Sequence, residues 1–266
     1  MIRFFRYSAA SNAGLAQNPR HKFAHNHALN IYNADAIYSF IPKNACSTMR
    51  TSIAYANGCI EDVADFNWIH KNNHTFTANL RDLVTAKYTF TVLRCPFSRL
   101  VSSYLDKIVS RNSVAWNYYD LRDRKIELED VSFHEFVKSM TTPKVKAGNI
   151  HWRPQSDFLV YKNYDDYFAM ENFSAATSKL KEKIGLDVID ARKLTNHGVD
   201  GFEKVDGEDF SKTKPFEFLR MKNEGQVPAT KTLYSEELIR IVRNAYREDF
   251  ALYEDVIGTD TLMFQK

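Results

Sequence analysis

Lys43, Ser47 and Thr48 in the run Ile41-Pro42-Lys43-Asn44-Ala45-Cys46-Ser47-Thr48 have the types and order that suit phosphate chemistry, as do Arg94 and Ser102 in Val92-Leu93-Arg94-Cys95-Pro96-Phe97-Ser98-Arg99-Leu100-Val101-Ser102. Each run passes from an apolar, strand-like stretch into a segment rich in hydroxyl and basic side chains. A helix N-terminus offers unpaired backbone N–H groups and the positive end of a dipole, so a strand-to-helix turn carrying Lys, Ser and Thr is a ready phosphate site. In the first turn the backbone of Asn44, Ala45 and Cys46 joins Lys43, Ser47 and Thr48 in that expected role. In the second, Ser102 on the following helix leans back toward the strand end. There Arg94 could share one phosphate with it through bidentate bonds. Two such turns, each with its own cation, predict a two-point grip on a nucleotide carrying two phosphates.

Taken singly, Lys43 also reads as a solvated loop lysine and Ser102 as a helix-surface serine; the paired order favours the grip. The string Gly-x-x-x-x-Gly-Lys-Ser/Thr is absent, which disfavours an ATPase or an ordinary nucleotide kinase.

Such turns need strands and helices to aim them. Residues 36–41 predict a first strand, closed by Pro42, and residues 47–56 a helix with Met49 and Ile53 on one face, ended by Asn57-Gly58. The β-branched and aromatic residues 88–93 predict a second strand. Pro96 then opens a helix to about residue 110, with Leu100, Tyr104 and Ile108 as its core stripe. Residues 132–140 read as a short helix with a capping box from Ser132 and Glu135. Residues 157–161 and 167–170 read as short strands, residues 172–184 as a helix stopped by Gly185, and residues 235–253 as one amphipathic helix. Residues 111–130 read as a surface excursion, and residues 195–230 as a long loop region able to fold over a ligand. Strands alternating with helices predict an α/β fold with a mainly parallel sheet. Residues 1–35 are expected to form an irregular N-terminal arm and residues 36–266 a single domain.

The 266-residue chain is 44% hydrophobic and 26% charged, the composition of an ordinary globular protein. Its net charge of +3 is too mild to argue for a nucleic-acid partner. Cys46, Cys59 and Cys95 have neither metal-ligand spacing nor the look of a disulfide framework. Arg3 and Arg6 flank Phe4 and Phe5, but Ser8-Ala9-Ala10-Ser11-Asn12 follows. No signal peptide or integral membrane segment is therefore expected, and the reading is a cytosolic protein with reduced thiols.

Pro42-Lys43-x-x-x-Ser47, with the Lys ahead of the turn, resembles the 5'-phosphosulfate loop of sulfotransferases, and Arg94 with Ser102 resembles their 3'-phosphate site. The run Arg94-x-Pro96-Phe97-x-Arg99-Leu100-Val101-Ser102-x-Tyr104-x-x-Lys107 is similar to the second motif of the carbohydrate sulfotransferases, sulfotransferase family 2, which include the chondroitin and HNK-1 enzymes. His151-Trp152-Arg153-Pro154-Gln155, Phe168-Ala169-Met170-Glu171-Asn172 and Tyr246-x-x-Asp249-Phe250-x-x-Tyr253 resemble further segments of that family, so the likeness covers residues 36–256. It implies a P-loop-like three-layer sandwich with helices flanking a mainly parallel central sheet. It also implies 3'-phosphoadenosine 5'-phosphosulfate as co-substrate, no metal, and a carbohydrate acceptor such as an acidic polysaccharide.

In that scheme Lys43 stabilises the leaving group and a His serves as general base, because imidazole titrates near neutral pH. His74 is favoured over His70, with His151 third. His151, Trp152 and Arg153 would form an acceptor wall, since aromatic faces and cations suit anionic sugars; a buried Trp with a structural ion pair is the competing reading. Ala169 departs from the family's basic residue ahead of Glu171-Asn172, and the cysteines that pair in secretory relatives are absent. The second departure implies a cytoplasmic, bacterial enzyme. Two alternatives stay open: a noncatalytic polysaccharide- or nucleotide-binding protein on the same fold, and a divergent nucleotide kinase. The acceptor's identity and the oligomeric state are left open.

Overall fold

Four short apolar runs form the central sheet: β1 (Ala28–Ile31), β2 (Ala36–Ser39), β3 (Tyr88–Leu93) and β4 (Asp166–Ala169), in the order β1-β2-β3-β4. In the computed structural model, which describes residues 2–9, 12, 14–72, 74–190 and 201–265, β1 runs antiparallel to β2, whereas β2, β3 and β4 are parallel. Every residue of β1 and β2 is buried, as befits strands covered on both faces. The helices Cys46–Ala56 and Phe173–Ile184 supply Met49, Ile53, Ala176 and Leu180 to a core shared with Tyr38, Phe90, Val92 and Phe168. This is the α/β arrangement expected, a mainly parallel sheet flanked by helices.

Two compact units result, Met1–Arg94 with Gln155–Asn196, and Cys95–Pro154 with His197–Lys266. The first holds the whole central sheet. The second is mostly helical and has a two-stranded parallel sheet of β5 (Glu203–Val205) and β6 (Gln226–Pro228). The helix Pro96–Ser103 winds on into a π turn over Tyr104–Val109. Trp152 is 0% exposed and lies in the core of this unit, edge-on to Tyr118 and Phe136 at 5.9 and 5.5 Å between ring centroids. Its Nε1 donates to the Val145 carbonyl (2.9 Å), and its own carbonyl accepts from the Tyr246 hydroxyl (2.8 Å). Trp152→Phe, which leaves a void and an orphaned carbonyl, is expected to lower unfolding free energy by about 1–2 kcal/mol in urea denaturation.

Several expectations change. The arm is not irregular throughout: a helix, Pro19–His25, precedes β1. Asn18 Oδ1 caps it, accepting from the N–H groups of Arg20 and His21 at 3.1 Å each, and Pro19 takes the first position. Within residues 111–130 a helix forms at Ser113–Leu121, capped by Asn112, whose Oδ1 accepts from Val114 N–H at 3.0 Å. Ser132 caps Phe133–Ser139 through Glu135 N–H (3.2 Å), but Glu135 faces His134 (3.3 Å) and Ser132 N–H donates to the Asp130 carbonyl (2.8 Å), so the capping box is half made.

Residues 157–161 make no strand. A 3-10 turn at Gln155–Phe158 and a lone bridge from Phe5 to Tyr161 replace it, because an apolar run buried without a ladder partner cannot extend a sheet. The long late loop carries β5, a helix Pro215–Asn223 and β6; its residues 195–200 lie outside those described. The closing helix is two, Glu236–Ala245 and Arg247–Val256, parted at Tyr246 (φ −115°), whose hydroxyl is committed to Trp152. Among the described residues no helix is long and apolar enough to cross a membrane.

Candidate functional site

Parallel pairing brings the C-terminal ends of β2, β3 and β4 to one edge of the sheet, the edge where α/β sheets bind ligands. From β2 the chain runs through buried Phe40, Ile41 and Pro42 into Lys43. Lys43 (φ 72°) and Ala45 (φ 54°) both adopt left-handed backbone. That conformation is uncommon for residues with a Cβ and persists where the surroundings over-determine it. Two such residues flanking Asn44 give a path of the kind whose N–H groups line an anion-sized concavity. The helix Cys46–Ala56 starts directly from Ala45 with no side chain capping it, which leaves its terminal N–H groups and dipole unmasked. Cys46 and Ser47 are half-buried and Thr48 is buried.

Arg50, buried on the same helix, donates to the Ile69 carbonyl and lies 5.3 Å over the Phe40 ring. Burial pulls its pKa down, while neighbouring Cys46 and Tyr38 push it up. A guanidinium stays charged even so, and it adds positive potential close to the turn.

Arg94 follows β3 directly, and its Nη1 donates to the Lys43 carbonyl at 2.9 Å, so the two turns touch. Gln155, 1% exposed, grips the Arg94 backbone at both polar atoms: Oε1 accepts from Arg94 N–H (3.0 Å) and Nε2 donates to the Arg94 carbonyl (2.8 Å). The same Oε1 accepts from Asn44 Nδ2 (2.6 Å), which also donates to the Val92 carbonyl (2.8 Å). Asn44 Oδ1 is buried without a hydrogen-bond partner among the described residues. Leaving an amide oxygen so costs free energy, and as an acceptor it is suited to a donor rather than to an anion. Asn44, expected to contribute its backbone, instead donates that backbone N–H to the Ile41 carbonyl (3.2 Å) and is tied into the site through its side-chain amide.

The other expected residues are placed as follows. Ser102 is half-buried on the helix Pro96–Ser103, and its neighbour Ser103 is committed to the carbonyls of Arg99 (2.9 Å) and His151 (2.6 Å). The His151 Nδ1 lies 2.7 Å from Asn149 Oδ1, an acceptor that suits a proton on Nδ1. Arg153 donates to the Ala147 carbonyl (3.2 Å) and its own carbonyl accepts from Arg99 (2.7 Å). Trp152, buried on all sides, offers no ring face to an acceptor, which corrects its expected place in the wall.

His70 and His74 are both exposed. His70 lies in the helix Trp68–Lys71, next to the Ile69 carbonyl that Arg50 holds. His74 stands in the turn before Phe76, whose carbonyl accepts from Asn30 N–H in β1 at 2.8 Å. Asn73 between them lies outside the described residues. Cys46, Cys59 and Cys95 form no disulfide with one another.

The family model described as the sulfotransferase family matches residues 32–254, which takes in both turns and the clasp between them. The chain belongs to the sulfotransferase family. Carbohydrate sulfotransferase 14 of Danio rerio is 23% identical over 167 residues, 56% of this chain and 46% of that protein, so the match spans about half of the relative's length. That relative is a vertebrate protein and lends the expected bacterial, cytoplasmic setting no support. No solved structure matches the chain.

Two residues packed beside these turns of the sulfotransferase-family chain escape sequence reading. Arg50 is masked by a helix whose hydroxyls draw attention to its first turn. Gln155 closes the run His151–Gln155, where His, Trp and Arg attract functional readings. The available signal is a lone amide between Pro154 and the apolar Phe158-Leu159-Val160, where a buried polar group must find partners.

Proposed function

We propose that this chain transfers a sulfuryl group from 3'-phosphoadenosine 5'-phosphosulfate to a hydroxyl of a carbohydrate. Family membership supports sulfuryl transfer, and the relative's name supports the carbohydrate acceptor. The observation that carries the donor is the bond from Arg94 to the Lys43 carbonyl, which makes one anion-binding edge of two turns. The turn Lys43 to Thr48 takes the 5'-phosphosulfate and Arg94 with Ser102 the 3'-phosphate. Unmasked N–H groups with a nearby Lys and Arg fit such a ligand.

The acceptor oxygen bonds to sulfur as the bond from sulfur to the nucleotide's phosphate oxygen breaks. A histidine, His74 or His70, takes the hydroxyl proton. Lys43 meets the negative charge that appears on the departing phosphate. His151 and Arg153 remain the residues proposed for the acceptor.

Arg94→Ala tests the donor site. Losing a charged, bidentate partner is expected to weaken adenosine 3',5'-bisphosphate binding by about 10–100-fold in calorimetry, with adenosine 5'-phosphate affected far less. Equal binding by variant and wild type would remove the assignment. Labelled-sulfate transfer across a glycan panel tests the reaction: binding without product identifies a noncatalytic module, and magnesium-dependent ATP turnover a kinase.

A further inference from the structure

We infer that Gln155 is a positioning residue that sets the spacing between the two phosphate-binding turns, an inference that rests on the nucleotide reading above. The paired register of β3 and β4 ends at Leu93 and Ala169, so Arg94 lies one residue past that ladder. The Gln155 amide replaces a strand neighbour there, satisfying the N–H and the carbonyl of Arg94 together (3.0 and 2.8 Å). Its oxygen also holds Asn44 (2.6 Å), the residue between the two left-handed positions of the first turn. One planar amide therefore fixes the start of the second turn against the middle of the first. The chain leaves the first unit at Arg94 and re-enters it at Gln155, so the clasp also ties those two points of the unit together.

A ligand with two phosphates is bivalent, and its affinity exceeds that of either half only while both subsites stay at the matching separation. Releasing the clasp should therefore weaken the bisphosphate selectively and leave each half-ligand nearly unchanged. A residue that merely stabilises the fold would weaken all alike.

The test is calorimetric titration of wild type, Gln155→Ala and Gln155→Glu with adenosine 3',5'-bisphosphate, adenosine 5'-phosphate and adenosine 3'-phosphate. Gln155→Ala is expected to lose about 10-fold or more in bisphosphate affinity, with the monophosphates within about threefold of wild type. Gln155→Glu keeps the shape but turns the Nε2 donor into an acceptor facing the Arg94 carbonyl. Its defect, taken relative to wild type at each pH, is expected at pH about 8 and should shrink toward pH about 5, as a carboxyl in this buried position regains its proton and can donate again. Unchanged bisphosphate affinity in both variants, or an equal loss for all three ligands, overturns the inference while the nucleotide reading stands. A wild-type chain that binds none of the three overturns that reading and this inference with it.

Discussion

His74→Ala is expected to lower the turnover of sulfuryl transfer by about 10²–10⁴-fold, while adenosine 3',5'-bisphosphate still binds as in wild type. A general base acts on the acceptor proton in the transition state and contributes nothing to holding the donor, so kcat and donor affinity must separate. The base works only as neutral imidazole. The wild-type rate should therefore fall as pH drops, and that acidic limb should disappear from the variant's profile. His74 is exposed on the turn before Phe76, whose carbonyl accepts from Asn30 N–H in β1. His70 is its rival, held next to the carbonyl that Arg50 grips. The same measurement on His70→Ala decides between them: the larger kcat loss, with the missing limb, marks the base. Full activity in both variants removes a histidine base drawn from this segment.

Lys43→Ala is expected to cost about 10²–10³-fold in kcat, the range for deleting one preorganised group that meets developing charge. Bisphosphate binding should weaken by less than about 10-fold, since the N–H groups of the turn and the Arg94 guanidinium remain. Lys43 sits at φ 72° with its carbonyl engaged by Arg94, and the Ala variant keeps both the backbone demand and that carbonyl. A drop in kcat therefore reports the lost ammonium. Lys43→Arg should recover little, because a broad planar fork does not put its charge where a compact ammonium did. An unchanged kcat for Lys43→Ala, measured with saturating donor, sinks the leaving-group role.

Much of what aims the two turns was legible because it is local. Pro42 and Pro96 punctuate strand ends, the β-branched run Tyr88–Leu93 forms β3 at the expected bounds, and Asn57-Gly58 and Gly185 end helices where left-handed backbone is needed. Local signals misled where burial overrode them. Phe158-Leu159-Val160 reads as a strand but is buried without a ladder, and the period of residues 235–253 hides a break at Tyr246, the residue whose hydroxyl donates to the Trp152 carbonyl. Trp152 shows the limit most plainly: the ring type that suits a sugar-facing wall also suits a core, and only packing against Tyr118 and Phe136 decides between them.

The sequence alone determined the residue types of the proposed grip and their order: a Lys ahead of hydroxyls at one helix start, and an Arg ahead of a Ser at another. Those follow from chain-local chemistry, because a turn and the helix it feeds are neighbours along the backbone. Tertiary structure alone decided that the turns meet. Parallel pairing of β2 with β3 carries Lys43 and Arg94 to the same sheet edge, and Gln155, distant in sequence from both, joins them through one buried amide. Contacts between residues so far apart depend on strand register and burial, which no local pattern encodes.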